Sequence, residues 1–283
     1  MLKDIRALPI RPPTAGFHAS WPSGRHLRFR SVFLSDLHLG TPGARADLAL
    51  DFLARVECDH LYLVGDVIDG WRLRKSWFWN AGFDAVLRAI FEHAGRGTAV
   101  TYIPGNHDEM FREWIGLKVA GVQLLRETVH DAADGRRFLV MHGDEFDGVL
   151  RHAKFLAHMG DRAYGLALTV NRWFNVVRRR LGFDYWSLSQ WLKRQVKEAV
   201  KTVDRFEAAL TGEARRQGLD GVICGHIHHA EMRMVGGILY MNCGDWVESC
   251  TALVEHEDGR FELLDWSAEL TLARSRPEVL HAG

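Results

Sequence analysis

The chain has four cysteines in 283 residues, Cys58, Cys224, Cys243 and Cys250, with neither a CxxC pair nor regular spacing. That excludes a disulfide framework and a thiolate zinc site, and it is the usage of reduced thiols in a reducing compartment, here the cytoplasm. Net charge is absent as well, since 36 Lys and Arg balance 36 Asp and Glu. No global field therefore draws the chain to nucleic acid or membranes, and a charged partner must be sought in local asymmetry. No run of eighteen apolar residues occurs, so no transmembrane helix is expected. The N-terminus lacks the apolar stretch of a signal peptide. Repeats and low-complexity segments are missing too. With 47% apolar residues, the chain can bury a sizeable core, as one large domain or as a domain carrying an insertion.

Proline is scarce, but Pro9, Pro12, Pro13 and Pro22 crowd the first 28 residues, exclude a long helix there and predict a surface arm. Beyond it, short β-branched and apolar runs alternate with helical stretches: Ser31 to Ser35, Leu61 to Val64, Thr98 to Ile103, Phe138 to Met141 and Gly221 to Cys224. This alternation predicts an α/β sheet with helices on its faces. After Gly225 closely spaced strand signals appear, MRMV, ILYMN, TALVEHE and RFELLDW, separated by Gly, Asp and Asn turns. Between Val149 and Gly218 there is no strand signal, and Leu188, Trp191, Leu192, Val196, Val200, Val203, Phe206 and Leu210 recur at helical spacing. The expected organisation is an extension over 1–28, one domain built from 29–148 and 219–270, a helical insertion over 149–218, and a tail over 271–283.

What the chain does have is metal-capable side chains after its strands. SVFLS runs into Asp36-Leu37-His38, LYLV into Gly65-Asp66-Val67-Ile68-Asp69, and TAVTYIP into Gly105-Asn106-His107-Asp108. FLVM runs into His142-Gly143-Asp144, and GVIC into Gly225-His226-Ile227-His228. The carboxyl ends of strands in an open α/β sheet form one rim where ligands bind, so these positions are expected to converge. Asp36, His38, Asp66, Asn106, His142, His226 and His228 together offer more oxygen and nitrogen donors than one ion uses. Two divalent ions sharing a carboxylate would use them all; Mn is the first choice, with Fe and Zn also suited to such donors. In DLH and HIH, alternate residues of an extended segment face one side, so both members of each pair can reach the ions.

In their order, DLHLG, GDVID, GNHD, MHGD and GHIH resemble the motif set of the calcineurin-like metallophosphoesterases over residues 31–230. A lone HxH is a weak signal, whereas five motifs in sequence are a specific one. The resemblance implies that Asp36, His38, Asp66 and His228 hold one ion and that Asp66, Asn106, His142 and His226 hold the other, with Asp66 as bridge. It implies a four-layered α/β fold, two mixed sheets flanked by helices with a helical cap insertion, and hydrolysis of a phosphate ester or anhydride. Two ions about 3.5–4 Å apart suit that chemistry, because they clamp phosphate oxygens and lower the pKa of a shared water. His107, the non-ligand of GNHD, is expected to stabilise developing charge or protonate the leaving oxygen. Asp108 beside it is expected to orient the imidazole. Asp69 and Asp144 are expected to cap helices that follow strands, and His229 is open between site and solvent.

Within that superfamily, GDVIDGW, the helical insertion and the closing YMNCGDWVESCTALVE are similar to the group containing the UDP-2,3-diacylglucosamine pyrophosphohydrolase of bacterial lipid A synthesis. The resemblance implies a lipid-linked nucleotide cleaved at the membrane surface. His107 departs from that group, in which Arg follows the Asn. From Arg151 to Lys201, eleven Lys or Arg meet three Asp or Glu, with Trp173, Phe174, Phe183, Tyr185, Trp186 and Trp191 interspersed. Such a cap is expected to take phosphates or anionic headgroups on its cations and acyl chains on its aromatics. The expected substrate thus carries phosphate, with a lipid attached, and the expected location is the cytoplasm with peripheral contact to the inner membrane. A solvated amphipathic hairpin remains an alternative, as does a phosphodiesterase or nuclease acting on soluble nucleotides. Single-stranded nucleic acid ranks below both. The alternative of a different class is a non-catalytic binding module, against which all the expected ligands are present.

Overall fold

The apolar runs become strands buried on both faces, which is why they read as runs and not as an alternating pattern. The structure, a computed structural model, describes residues 27–146 and 188–275. All but the last two residues of the expected N-terminal extension and the first half of the expected insertion lie outside these residues, as does the end of the expected tail. Strands β1 (Leu27–Leu34), β2 (Val56–Val64), β3 (Ala99–Ile103), β4 (Lys118–Val119), β5 (Val122–Leu124), β11 (Thr251–Glu255) and β12 (Phe261–Asp265) form a seven-stranded sheet in the order β12-β11-β1-β2-β3-β5-β4. A second sheet of five runs β6-β7-β8-β10-β9, from β6 (Thr128–Asp131), β7 (Arg137–Val140), β8 (Gly221–Cys224), β9 (Glu231–Val235) and β10 (Ile238–Asn242). The centre of each sheet is parallel: β1, β2, β3 and β5 in the first, β7, β8 and β10 in the second. Antiparallel strands close the edges.

Three separate cores make four layers. On the outer face of the first sheet, Val32, Leu34, Leu61 and Leu63 pack with Phe52 of α1 (Ala46–Arg55) and Phe83, Val86 and Ile90 of α3 (Ala81–Gly95). Between the sheets lie Phe33, Tyr62, Val64, Ile103, Phe138, Val140, Ile223 and Met241. On the far face of the second sheet, Leu139, Met141, Val222, Cys224 and Tyr240 meet Phe206, Leu210 and Ala214 of α4 (Leu188–Arg216). Successive strand residues point to opposite faces, so Val32 and Leu34 join the first core while Phe33 between them joins the second. Full burial of each such side chain contributes about 1.5–3 kcal/mol.

The closing part of the expected insertion is therefore integral to the body. Phe206, Leu210 and Ala214 recur at four-residue spacing and are fully buried, so this end of α4 forms the outer layer on the second sheet. No helix among the described residues is long and apolar enough to cross a membrane. The chain ends its described part in α5 (Trp266–Ser275), whose Trp266 and Leu270 join the first core.

A buried polar network ties the two sheets together. Glu255 of β11 accepts hydrogen bonds from Arg30 at 2.9 Å, Ser31 at 2.8 Å, the Ala133 amide at 2.8 Å and His130 of β6 at 2.9 Å. Burial alone would raise its pKa, but the bonds from His130, Ala133 and Ser31 outweigh that and hold it at about 2. A carboxylate depressed below its unfolded value stabilises the fold above about pH 4.3, and the contribution is lost as pH falls through the folded value. Glu255→Gln is expected to cost about 3 kcal/mol at neutral pH, because it leaves buried donors without their charge partner. Urea unfolding at pH 7 and pH 3 checks this: the gap between the two proteins should narrow in acid, and an equal midpoint at pH 7 would sink the account.

Candidate metal centre

The parallel strands of both sheets deliver their carboxyl ends to one rim, and each leads there into a short loop. After β1 come Asp36 and His38, after β2 Asp66 and Asp69, after β3 Asn106 and His107, after β7 His142, and after β8 His226 and His228. Backbone bonds lace these loops together: Asp36 N–H donates to Gly65 O at 3.0 Å, His38 N–H to Asp66 O at 2.9 Å, and Gly70 N–H to His107 O at 2.9 Å. The glycines of the motifs are needed for close approach. A Cβ at Gly65 would collide with the His142 imidazole, and one at Gly105 with both Asp66 and His142. Gly65 also sits at φ +84°, where only glycine is free of strain.

Strain concentrates in the same place. Among the described residues, seven non-glycine residues have positive φ, and five of them are Asp36, His38, Asp66, His226 and His228. Left-handed backbone costs of order 1–3 kcal/mol per such residue and persists only where the surroundings dictate it. Here it turns alternate side chains out of the strand ends into a common space.

Six of the seven expected donors meet in that space, and the seventh, Asn106, is buried in the adjoining GNHD loop. His228 Nε2 lies 3.1 Å from Asp36 Oδ1 and 3.2 Å from His38 Nε2. Asp66 Oδ2 lies 3.8 Å from His38 Nε2 on one side and 3.4 Å from His142 Nε2 on the other. His142 is oriented by its second nitrogen, Nδ1, which donates to Val64 O at 2.8 Å. Three ligand-capable groups result, each with its donor atoms within 4.8 Å of one another: Asp36, His38 and His228; Asp66, His142 and His226; and His38, Asp66 and His107.

The donors fit cations better than they fit each other. Asp36 Oδ1, both amide atoms of Asn106 and His142 Nε2 are buried and make no hydrogen bond. Buried polar atoms left unpaired cost about 1–3 kcal/mol each, so four on these rim loops call for a partner outside the chain. Electrostatics points the same way. Burial disfavours charge on His38 and His142, yet the carboxylates outweigh it: Asp36 and Asp69 hold His38 at about 10, and Asp66 holds His142 at about 10. Asp66 is held at about 2 against burial, chiefly by His142, and Asp36 is driven well below the usual range against burial, chiefly by His228. The cluster thus demands positive charge.

His107 and Asp108 behave differently from expectation. Asp108 does not reach the imidazole. Its fully buried carboxylate accepts from Val67 N–H at 2.7 Å, Gly105 N–H at 2.6 Å and the Tyr102 hydroxyl, and so pins the GDVID loop to the GNHD loop. Burial, then Asp66, raises its pKa. Orientation of His107 falls to Asp69, whose Oδ1 accepts from His107 Nδ1 at 2.9 Å. Asp69 also caps α2 (Gly70–Lys75), as expected, by accepting from Arg72 N–H at 2.9 Å, and it accepts from Thr41 Oγ1 at 2.7 Å. The His107 backbone N–H donates to Asp66 Oδ1 at 2.8 Å, and Trp71 packs on the ring at 4.4 Å between centroids. Asp144 pairs with Arg112 at 2.8 Å. His229 faces solvent and lies 3.8 Å from Glu231.

The remaining conspicuous residues are structural. Cys224 and Cys243 beside the site are buried thiols; burial drives both upward, Cys224 to about 12. In the closing YMNCGDW segment, Asn242 donates to Gly225 O at 2.7 Å and accepts from Gly244 N–H at 2.9 Å, which fixes the GHIH loop. Asp245 accepts from Val247 and Glu248 N–H at 2.7 and 2.6 Å, which closes the next turn.

The family described as Calcineurin-like phosphoesterase matches residues 29–230. The chain is 29% identical over 246 residues to a UDP-2,3-diacylglucosamine hydrolase of Xanthomonas campestris pv. campestris, with 81% of this chain and 96% of that one covered. It is 27% identical over 231 residues to the UDP-2,3-diacylglucosamine hydrolase of Neisseria meningitidis, covering 76% and 89%. Among solved structures, a phosphoesterase from E. coli is similar at 14% identity and a TM-score of 0.40, covering 83% and 98%. The family match takes in every loop that borders the donor cluster, from Asp36 to His228, and the chain belongs to the calcineurin-like phosphoesterase family of metal-dependent phosphohydrolases.

Proposed function

We propose that the cluster holds two divalent ions, Mn first among Mn, Fe and Zn, and that the enzyme cleaves the pyrophosphate bond of a lipid-linked nucleotide such as a diacylated UDP-sugar. The observation that carries the dinuclear reading is Asp66, one oxygen of which faces His38 of one donor group and His142 of the other. Asp36, His38 and His228 then serve one ion, Asn106, His142 and His226 the other, and Asp66 both. When bound, such ions supply polarisation of phosphoryl oxygens and a water of lowered pKa.

The chain's own residues do the rest. The rim binds the phosphates of the substrate and orients the bond to be broken toward His107, whose Nδ1 is held by Asp69, leaving Nε2 for the leaving oxygen. Trp71 covers one face of that imidazole and limits water access to it. Asp108 and Tyr102 keep the two loops in register, so that these groups stay positioned through turnover.

The substrate class is supported by the relatives named for UDP-2,3-diacylglucosamine hydrolysis and by the eleven cations and eight aromatics between Arg151 and Lys201. Cations bind phosphate, whereas an acyl chain gains only from leaving water, about 25 cal/mol per Å². A panel under one Mn condition tests this, comparing a diacylated UDP-sugar, its deacylated form, cyclic nucleotides and short single-stranded DNA. The diacylated sugar is expected to show the highest kcat/KM. Equal rates for the two UDP-sugars would remove the lipid, and a preference for DNA or cyclic nucleotides would make the enzyme a phosphodiesterase of soluble nucleotides.

A further inference from the structure

Beside the metal centre the chain exposes an uncommon combination. Residues 70–79 read GWRLRKSWFW, three cations and four aromatics with no acid. They form α2 and the connection to α3, and Trp71, Arg72, Arg74, Lys75, Trp77 and Phe78 are all exposed. Trp77 is 75% exposed, the most open large apolar side chain among the described residues. Among those residues Arg72, Arg74 and Lys75 take part in none of the ion pairs.

The patch is held open by its own framework. Trp79 and Phe78 pack edge-on against buried Phe83 of α3, at 5.4 and 5.9 Å between centroids. Trp79 Nε1 donates to Asp84 at 2.8 Å, and Asn80 caps α3 by accepting from the Gly82 and Phe83 amides. The loop is thus anchored from below while Trp77 stands outward beside the cations. Folding alone gives no reason to expose it, and a contiguous apolar patch ringed by charge marks a contact surface.

We infer that residues 71–78 form a docking surface for an anionic lipid bilayer, with Trp77 and Phe78 seated at headgroup depth and Arg72, Arg74 and Lys75 paired with lipid phosphates. Indole and phenyl rings favour that interfacial layer, and clustered Lys and Arg favour an anionic leaflet. A single-stranded nucleic acid would need cations along a track of several nucleotides. Among the described residues, acids flank this short run of cations, Asp84 on one side and Glu109 on the other, each bonded to an indole of the patch. Because Trp71 leans on His107, docking would bring the rim of the metal centre to the membrane surface. This deepens the reading of a lipid-linked substrate, and its geometry stands without that reading.

The test is flotation of the metal-loaded full chain with vesicles containing about 30% phosphatidylglycerol, against vesicles of phosphatidylcholine alone. The wild type is expected to float with the anionic vesicles and to be released by high salt. The double variant Trp77→Ser, Phe78→Ser is expected to lower partitioning about 10-fold, and Arg74→Glu with Lys75→Glu to abolish the preference for anionic lipid. Both variants should keep the wild-type rate on a water-soluble aryl phosphodiester, which shows that they fold. Unchanged flotation of either variant overturns the inference, as does wild type that ignores anionic vesicles. Loss of single-stranded DNA binding by the same variants in place of vesicle binding would reassign the surface, and a halved solution mass in the Trp77 variant would make it a contact between copies. Failure of the lipid-linked substrate to be cleaved, with flotation intact, would count against the substrate reading alone.

Discussion

Asp66→Ala is expected to empty both metal positions and to lower hydrolysis of an artificial aryl phosphodiester at least about 1,000-fold, the several kcal/mol that metal polarisation supplies. The residue is 2% exposed and stands between the donor groups, with Oδ2 facing His38 and His142. Its other oxygen accepts from the His107 amide, so alanine also frees the GNHD loop. Asp66→Asn separates the two roles, since an amide oxygen still accepts from that N–H while the negative charge is gone. If charge is what matters, the asparagine variant loses metal and activity nearly as fully as alanine while its thermal unfolding stays closer to wild type. Elemental analysis after dialysis, run beside the rate assay, decides the point. Two equivalents of metal and full turnover in either variant would sink the bridging role.

The layers and the rim are legible in the strand runs and in the polar residues at the carboxyl end of each run. Val32-Phe33-Leu34 and Leu61 to Val64 are apolar on both faces, and only a sheet covered on both sides buries such runs. The donors are legible because metal chemistry restricts residue types, and Asp, Asn and His after five separate strands have few other uses. Three features are not. Adjacency in sequence offers Asp108 as the partner of His107, but Asp108 points into the protein toward Tyr102 and the Val67 amide, while Asp69 reaches across from another loop. Capping and orienting use different lone pairs of one carboxylate, so a cap signal at Asp69 hides its second role. The close of α4 likewise reads as part of an insertion. Helical spacing shows that Phe206 and Leu210 share a face and leaves open what that face meets, which here is the second sheet. The positive φ values at five donors carry only a weak residue-type signal, since Asp and His enter that region more often than most residues yet adopt ordinary backbone at nearly all their positions.

His107→Ala is expected to lower turnover about 100-fold or more while leaving metal content nearly intact. His38, Asp66 and His107 are close enough to hold an ion, so a ligand role is the rival reading. Geometry favours the acid role. Nδ1 is committed to Asp69, Trp71 lies across one face, and the edge of His38 meets the ring at 4.6 Å, which leaves the Nε2 side as the approach for a leaving oxygen. Equal loss of metal and of activity in His107→Ala would make it a ligand. Asp69→Asn should fall less far, about 10-fold, because the imidazole stays in place but loses the carboxylate that orients it. A substrate with an acidic phenol as leaving group needs no proton, so both variants should approach wild type on it and fall behind as the leaving alcohol becomes more basic. That dependence separates the two roles, since loss of a metal ligand slows good and poor leaving groups alike, whereas loss of an acid is felt in proportion to the proton it gave.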